Sequence, residues 1–270
     1  MAGRTKAVAK TTEGQLPAEV DALIQKSSGR GTSTSQSDNI VPMMYVLQSN
    51  SPQVNKRNAA YIQDAEAGCI WLRNMAHPIV NGEEGVLFQP SWFTKDVVEW
   101  IPRDEGGGFV ARHQFAHPEE SMAQAAERLG ATPVEQKNSN KISYILKNGH
   151  ELVETRYFMG HVHLDDGGRI PFVVPLKGTG HSFGKQWMFA INNLQYKGTK
   201  PDIWFGVWKL TTSVRTNASG EWFMYEAAFA HFVDNVADVH RGEALYNAFA
   251  SGEKQAEAPV VDEEEMEDAI

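Results

Sequence analysis

Cysteine and long apolar runs are what this sequence has least of. Cys69 is the single cysteine among 270 residues, which excludes an intrachain disulfide framework and a multi-cysteine zinc site. No uninterrupted apolar run approaches the roughly 18 residues that a membrane helix needs. The first ten residues are basic and lack the apolar core of a secretory signal. We therefore expect a protein of a reducing cytoplasm.

The acidic charge is concentrated at the C-terminal end. The last 15 residues hold seven acids and no Lys or Arg, so the other 255 residues carry only −2 of the net charge of −9. A block of like charge repels itself and buries no core, so residues 253–270 are predicted to be a disordered acidic tail. The basic, Ser- and Thr-rich residues 1–37 are also predicted to be disordered, which leaves residues 38–252 as the folded domain.

A basic segment inside the folded domain is rich in aromatic residues. Residues 169–215 contain seven Lys or Arg, a single acid, Asp202, and eight aromatic residues. Lys and Arg neutralise phosphates, and flat rings stack on exposed bases, so this composition is typical of a surface for single-stranded nucleic acid. The alternative is that the rings belong to the core and the lysines to a solvated face.

Short strands separated by turn residues dominate the pattern, and helices are predicted over 118–129, 184–193 and 233–250. Asn148-Gly149 is a strong hairpin signal. We predict a mainly β fold with added α-helices, an antiparallel barrel of the oligonucleotide-binding (OB) type decorated by helices. The predicted strands are 40–48, 69–73, 85–92, 97–101, 142–146, 151–163, 170–176, 203–214 and 222–230.

Three fragments suggest chemistry, and none is diagnostic. The segment from Gly178 to Gln186 is placed like a phosphate-binding loop, but it lacks the first glycine and the hydroxyl residue of that motif, although free amides there could hold one phosphate. His161 and His163 would face the same side of a strand, but no third metal ligand has a diagnostic spacing. Asp104-Glu105 fits a solvated loop better than paired catalytic carboxylates. We expect no enzyme, no cofactor and no resident metal.

Several strings resemble phage proteins from DNA replication and recombination regions. They are Ser37–Ile40 with Leu47-Gln48 and Ser51–Val54, then Val98–Gly108, and Leu176-Lys177 with Lys185–Trp187. The layout of one domain followed by an acidic tail is similar to the phage single-stranded DNA-binding proteins of the T7 replication type. The resemblance implies an OB fold, no catalysis, a location in the host cytoplasm, and a tail that recruits a polymerase or a helicase–primase. The long basic N-terminus and the large domain depart from that family.

The leading hypothesis is a single-stranded DNA-binding protein of phage DNA replication, recombination or repair, and it assigns roles to two sets of residues. The predicted DNA-binding residues are Lys177, Lys185, Trp187, Tyr196, Lys197, Lys200, Trp204, Trp208, Lys209 and Arg215. The predicted partner-binding residues are Asp262, Glu263, Glu264, Glu265, Glu267, Asp268 and Ile270. A homodimer is possible. The alternatives are a single-strand annealing protein of recombination and a virion or assembly protein that does not bind DNA.

Overall fold

The computed structural model of the protein describes residues 40–102, 105–135, 142–217 and 220–259, together with Leu23. Contacts along the chain divide it into two compact units, Met1–Asp38 and Asn39–Ile270. The strands and helices given below all lie in the second unit. The predicted N-terminal segment, apart from Leu23, and residues 260–270 of the predicted tail lie outside the described residues.

The described residues form thirteen strands and three α-helices. The strands are β1 (Ile40–Val41), β2 (Met44–Val46), β3 (Ile70–Leu72), β4 (Ile79–Val80), β5 (Val86–Ile101), β6 (Gly108–Gln114), β7 (Thr132–Glu135), β8 (Ile142–Ile145), β9 (Glu151–His163), β10 (Arg169–Leu176), β11 (Gly206–Asn217), β12 (Gly220–Phe232) and β13 (Gln255–Ala256). The helices are α1 (Met122–Leu129), α2 (Gly180–Asn192) and α3 (Val236–Ala250). The mainly β fold with added helices is confirmed.

An eight-stranded antiparallel sheet is built on two long neighbouring strands, β5 and β9, which pair from Leu87–His163 to Trp100–Glu151. At one end β11 and β12 extend the sheet beyond β5, and β10 lies on the other side of β9. At the opposite end β6 pairs with β5, while β8 and β7 extend from β9. Among the described residues the sheet does not close on itself, so the predicted OB-type barrel is wrong.

The sequence predicted β5 as two separate strands. Two strands were expected at 85–92 and 97–101, but the chain continues as one strand of 16 residues. Pro90 cannot donate to a strand ladder, and a register shift between Pro90 and Trp92 absorbs the interruption. A long strand with a bulge can pair with different strands at its two ends. Here β11 pairs with one end of β5 and β6 with the other, which the signals for two short strands do not indicate.

Two smaller sheets complete the fold. Strands β2, β3 and β4 form an antiparallel sheet, and β1 pairs in parallel with β13. Strand β13 lies inside the segment predicted as acidic tail, so the ordered fold extends past residue 252. Arg112 donates to the carbonyl oxygens of Ala256 and Glu257, and Arg73 lies 3.2 Å from the Glu257 carboxylate. These contacts hold the end of the described chain against the domain.

The largest core cluster lies between the main sheet and α2. Phe183, Trp187 and Ile191 are spaced by four residues and form the buried face of the helix. They pack on Phe88 and Phe158 of the two central strands. The first turn begins at Gly180 rather than at the predicted residue 184. Helix α2 packs on the sheet through these three residues, and the helix face opposite to them is open to solvent.

Candidate nucleic-acid interface

Helix α2 connects the central part of the sheet to β11 and carries the middle of the basic segment. Gly184 allows the helix to approach β10 closely, since a Cβ there would be 3.0 Å from the Leu176 side chain. The exposed face contains Lys185 and, one turn later, Phe189. Phe189 is 71% exposed, the largest exposed fraction of any aromatic side chain among the described residues.

Two of the predicted stacking residues are in the core. Trp187 and Trp208 are 2% and 3% exposed. The Trp187 ring stacks on Phe158 with centroids 4.2 Å apart and meets Trp208 edge-on at 6.3 Å. Neither ring offers a face to a base, so the prediction that they stack on DNA is corrected. Trp204 is half-buried and packs on Tyr246 of α3 at 5.2 Å.

Tyr196 is the predicted aromatic residue that does lie on the surface, with 53% of its side chain exposed. Its ring meets Phe232 edge-on at 5.1 Å, and Phe232 meets the partly exposed Phe229 at 5.0 Å. Sequence reasoning did not select Phe189 for the site. The signal was available, because Phe189 falls out of phase with the buried positions 183, 187 and 191 on a helix of 3.6 residues per turn.

Four of the predicted lysines lie on α2 or in the segments directly before and after it. Lys177 precedes the helix and Lys185 lies on it, while Lys197 and Lys200 follow it. The Lys197 ammonium lies 5.3 Å from the centre of the Tyr196 ring, and Lys200 donates to the Asn192 side chain at 3.0 Å. The helix is about 20 Å long, so these cations cover a span of several nucleotides. We call Lys185, Phe189, Tyr196, Lys197 and Lys200 the α2 surface.

The structure does not bring the last two predicted cations to that surface. Trp208 and Leu210 on β11 are buried on the sheet face that α2 covers. Lys209 lies between them in the strand, so its side chain is on the other face of the sheet. Arg215 lines a cleft on the β12 side of α2, but its guanidinium is 2.9 Å from the Glu226 carboxylate. That carboxylate offsets the positive charge of Arg215.

A shallow groove on the other side of α2 contains two cations that sequence reasoning missed. Lys95 of β5 and Arg156 of β9 lie directly opposite each other in the sheet and line this groove together with Lys185 and Phe189. Like charges directly opposite are unfavourable in a sheet, but the Lys95 ammonium donates to the Glu120 carbonyl oxygen at 2.9 Å and lies 4.2 Å from the centre of the Phe115 ring. Glu154 pairs with Arg156 at 2.7 Å, which leaves an excess of positive charge. We call Lys95, Arg156, Lys185 and Phe189 the β5–β9 groove.

Comparison with known proteins identifies the family to which the chain belongs. A sequence model of the Pam3 phage gp34-like proteins matches residues 10–255. The chain belongs to this phage protein family. No curated protein and no solved structure gives a significant match. The phage origin of the resemblance is thereby confirmed, whereas the T7 replication type and the OB fold are not supported by the match.

Three amides at the start of α2 already have backbone partners. The N–H groups of Gly180, His181 and Ser182 donate to the carbonyl oxygens of Lys177, Gly178 and Thr179, at 2.8 to 3.3 Å. These three amides are therefore not available to a phosphate, and a phosphate site through the other amides of this loop stays a prediction.

His161 and His163 lie under α3 at the end of β9. Burial is the main cause that lowers the pKa of each to about 4, so both are neutral at pH 7. His163 lies 3.2 Å from the side-chain oxygen of the buried Gln89. Within the described residues, no group of three His, Cys, Asp or Glu side chains is arranged to hold a metal ion.

Most of the remaining predicted residues lie outside the described parts of the chain. Asp104 and the partner-binding set from Asp262 to Ile270 lie outside the described residues, while Glu105 lies exposed on a turn. No helix within the described ranges is long and apolar enough to cross a membrane.

Proposed function

We propose that this phage protein binds single-stranded DNA along α2, without catalysis. The observation that carries the proposal is Phe189, a phenylalanine 71% exposed on the helix face opposite the core. Exposing a large ring to water is unfavourable, and rings that stack on bases must be exposed in the free protein. Lys185 lies one turn away and two further cations line the adjacent groove, so phosphates and bases would find partners at the same place.

In this proposal the strand contacts the protein through two kinds of group. Lys95, Arg156 and Lys185 bind phosphates in the β5–β9 groove, and Lys197 and Lys200 bind phosphates beyond the end of α2. Phe189 and Tyr196 each stack on a base. Lys95, Arg156 and Lys185 come from two paired strands and the helix that packs on them, so their backbone positions are fixed before DNA arrives, which lowers the entropy cost of binding.

The experiment that tests this proposal is binding of a fluorescein-labelled oligothymidine to the full chain at low and high salt. We expect tighter binding to single strands than to duplex, and an affinity that falls steeply with salt. Lys185→Gln should reduce the slope of log K against log salt by about 0.7, the value for one phosphate contact on a single strand. Lys147→Gln, on the exposed turn between β8 and β9, is the matched control and should leave the slope unchanged.

Two outcomes would each remove one part of the proposal. Equal affinity for duplex and single strand would remove the stacking part, since paired bases present no free face. An affinity that does not change with salt would remove the phosphate part. Absence of DNA binding at low salt would favour the virion or assembly protein, whereas large rings or filaments on DNA would favour the annealing protein.

We extend the proposal to the acidic tail as the element that recruits a phage or host replication protein, such as a polymerase or a helicase–primase. Removing residues 262–270 deletes six acidic side chains and changes the net charge from −9 to −3. We expect this deletion to abolish partner binding in a pull-down. We also expect it to tighten DNA binding at low salt, because a tethered polyanion competes for the same cations. Unchanged DNA affinity and unchanged partner binding would contradict both roles.

A further inference from the structure

A cleft lies between α2 and β12, the strand at one end of the main sheet. Its volume is about 670 Å³, within the roughly 300–1,000 Å³ of typical ligand sites. Gln186 and Ala190 line it from the helix, and the consecutive residues Tyr225, Glu226 and Ala227 line it from the strand. Neighbouring residues of a strand point to opposite faces, so a cleft that contacts all three lies at the edge of β12. We call this the β12 cleft.

The backbone of β12 presents hydrogen-bonding groups along this edge. The Gln48 side-chain amide binds both the N–H and the C=O of Phe223 at 2.8 Å, as a neighbouring strand would. The pairing with β11 has no register shift from Phe223 to Ala227, so the N–H and C=O of Tyr225 and Ala227 point the same way as those of Phe223. Within the described chain the two backbone groups of Ala227 have no partner, since β12 pairs with β11 alone. An edge of this kind is a template for the addition of an extended chain.

The chain itself continues from one end of the β12 cleft. Pro259, the last residue described, lines a cavity that shares Phe183 and Trp222 with the cleft. Val260 and Val261 come next in the sequence, and both are β-branched and apolar, a type that favours strands. The eleven residues after Pro259 span at most about 40 Å when extended, whereas α2 is about 20 Å long. This segment therefore starts beside the cleft and is long enough to pass along the whole of it.

We propose that residues 260–263 add to the free edge of β12 as a parallel strand, beside residues 225–228. The direction is parallel because Pro259 lies by Trp222, so the chain enters at the start of β12 and continues towards its end.

The acidic residues that follow this docked strand lead to the α2 surface. The ring of Phe232, at the far end of β12, contacts Tyr196 at 5.1 Å, and Lys197 comes directly after Tyr196. Residues 264–268 contain four acids and would lie near that lysine. This consequence rests on the proposed function, because it states how the tail reaches the cations that bind DNA. The docking of the strand itself requires no DNA.

The test measures amide hydrogen exchange in the full chain by NMR, without DNA. A variant with Val260→Pro and Val261→Pro removes two N–H groups of the proposed strand and keeps the net charge. We expect the Ala227 amide to exchange about ten-fold faster in this variant than in the wild type, because its main-chain hydrogen bond is lost. Met266→Pro lies beyond the proposed strand and is the matched control, with exchange as in the wild type. The Phe223 amide, which donates to Gln48, should be unchanged in both variants.

The exchange rates decide the docking whether or not the protein binds DNA. Exchange of Ala227 in the wild type at the rate of an exposed amide would overturn the inference. Slow exchange that the double proline variant leaves unchanged would also overturn it, because another occupant then covers the edge. Protection that rises with protein concentration would identify that occupant as a second copy of the chain.

Oligothymidine affinity tests the link to the α2 surface separately. The double proline variant keeps all the acidic residues, so tighter DNA binding than in Met266→Pro would show that docking, and not charge alone, brings the tail to the cations. Absence of DNA binding in every form would refute the proposed function, while the exchange rates would still decide whether residues 260–263 occupy the β12 cleft.

Discussion

Phe189 and Trp187 lie two residues apart on α2, and replacing each by alanine should have opposite consequences. Phe189 is 71% exposed, so its loss should change the free energy of unfolding by no more than about 0.5 kcal/mol. Stacking on a base contributes about 1–3 kcal/mol, so Phe189→Ala should weaken oligothymidine binding by a factor between about 5 and 150.

Trp187→Ala should act on stability instead. Trp187 is 2% exposed and contacts the rings of Phe88, Phe158 and Phe183, with centroids 4.2 to 5.9 Å apart. Removing a buried tryptophan of this kind costs about 3–5 kcal/mol. In a domain of this size that lowers the melting temperature on the order of 10 °C.

The assay has two readouts on the same protein samples. Fluorescence anisotropy with labelled oligothymidine reports affinity, and thermal unfolding followed by circular dichroism reports stability. Arg156 and Lys185 are unchanged in both variants, so the phosphate contacts serve as an internal reference through the salt slope. Unchanged DNA affinity in Phe189→Ala would refute the stacking role of this surface, whatever the effect of Trp187→Ala.

Three further predictions concern the scaffold that holds α2 in place. Burial lowers the pKa of His161 to about 4, so its contribution to stability is fully present above about pH 6.5, and up to about 3 kcal/mol is lost as the pH falls from there to 4. The pKa of His163 is lowered in the same way, so His161→Gln should reduce the pH dependence of urea midpoints over that interval without abolishing it, and an unaltered profile would argue against it. Gly160→Ala places a Cβ 2.2 Å from the backbone oxygen of Gln89 and should lower the free energy of unfolding by about 1–3 kcal/mol or more. A melting temperature equal to that of the wild type would contradict this. Gln48 hydrogen-bonds both backbone groups of Phe223 at 2.8 Å, so Gln48→Leu should cost about 1–3 kcal/mol and speed amide exchange at Phe223; protection as in wild type would speak against it.

The sequence alone predicted the elements whose signals are local. The bounds of β9 came out as observed, because alternation of side chains and the Asn148-Gly149 turn are short-range properties. Helix α1 was also predicted, although it begins at Met122, after a capping box between Ser121 and Gln124. The basic, aromatic segment was visible in the composition, and four of its lysines do follow α2.

Tertiary structure decided everything that depends on which elements meet. Whether the sheet closes is set by strand partners far apart in the chain, and among the described residues the hydrogen-bonded path from β12 to β7 does not return to its first strand. Trp187 and Phe189 are equally plausible stacking residues by type, and the packing of α2 on the sheet buries one and exposes the other. Lys95, Arg156 and Lys185 are about 60 and 30 residues apart in sequence, and they share one groove only because the strand register and the helix position place them together.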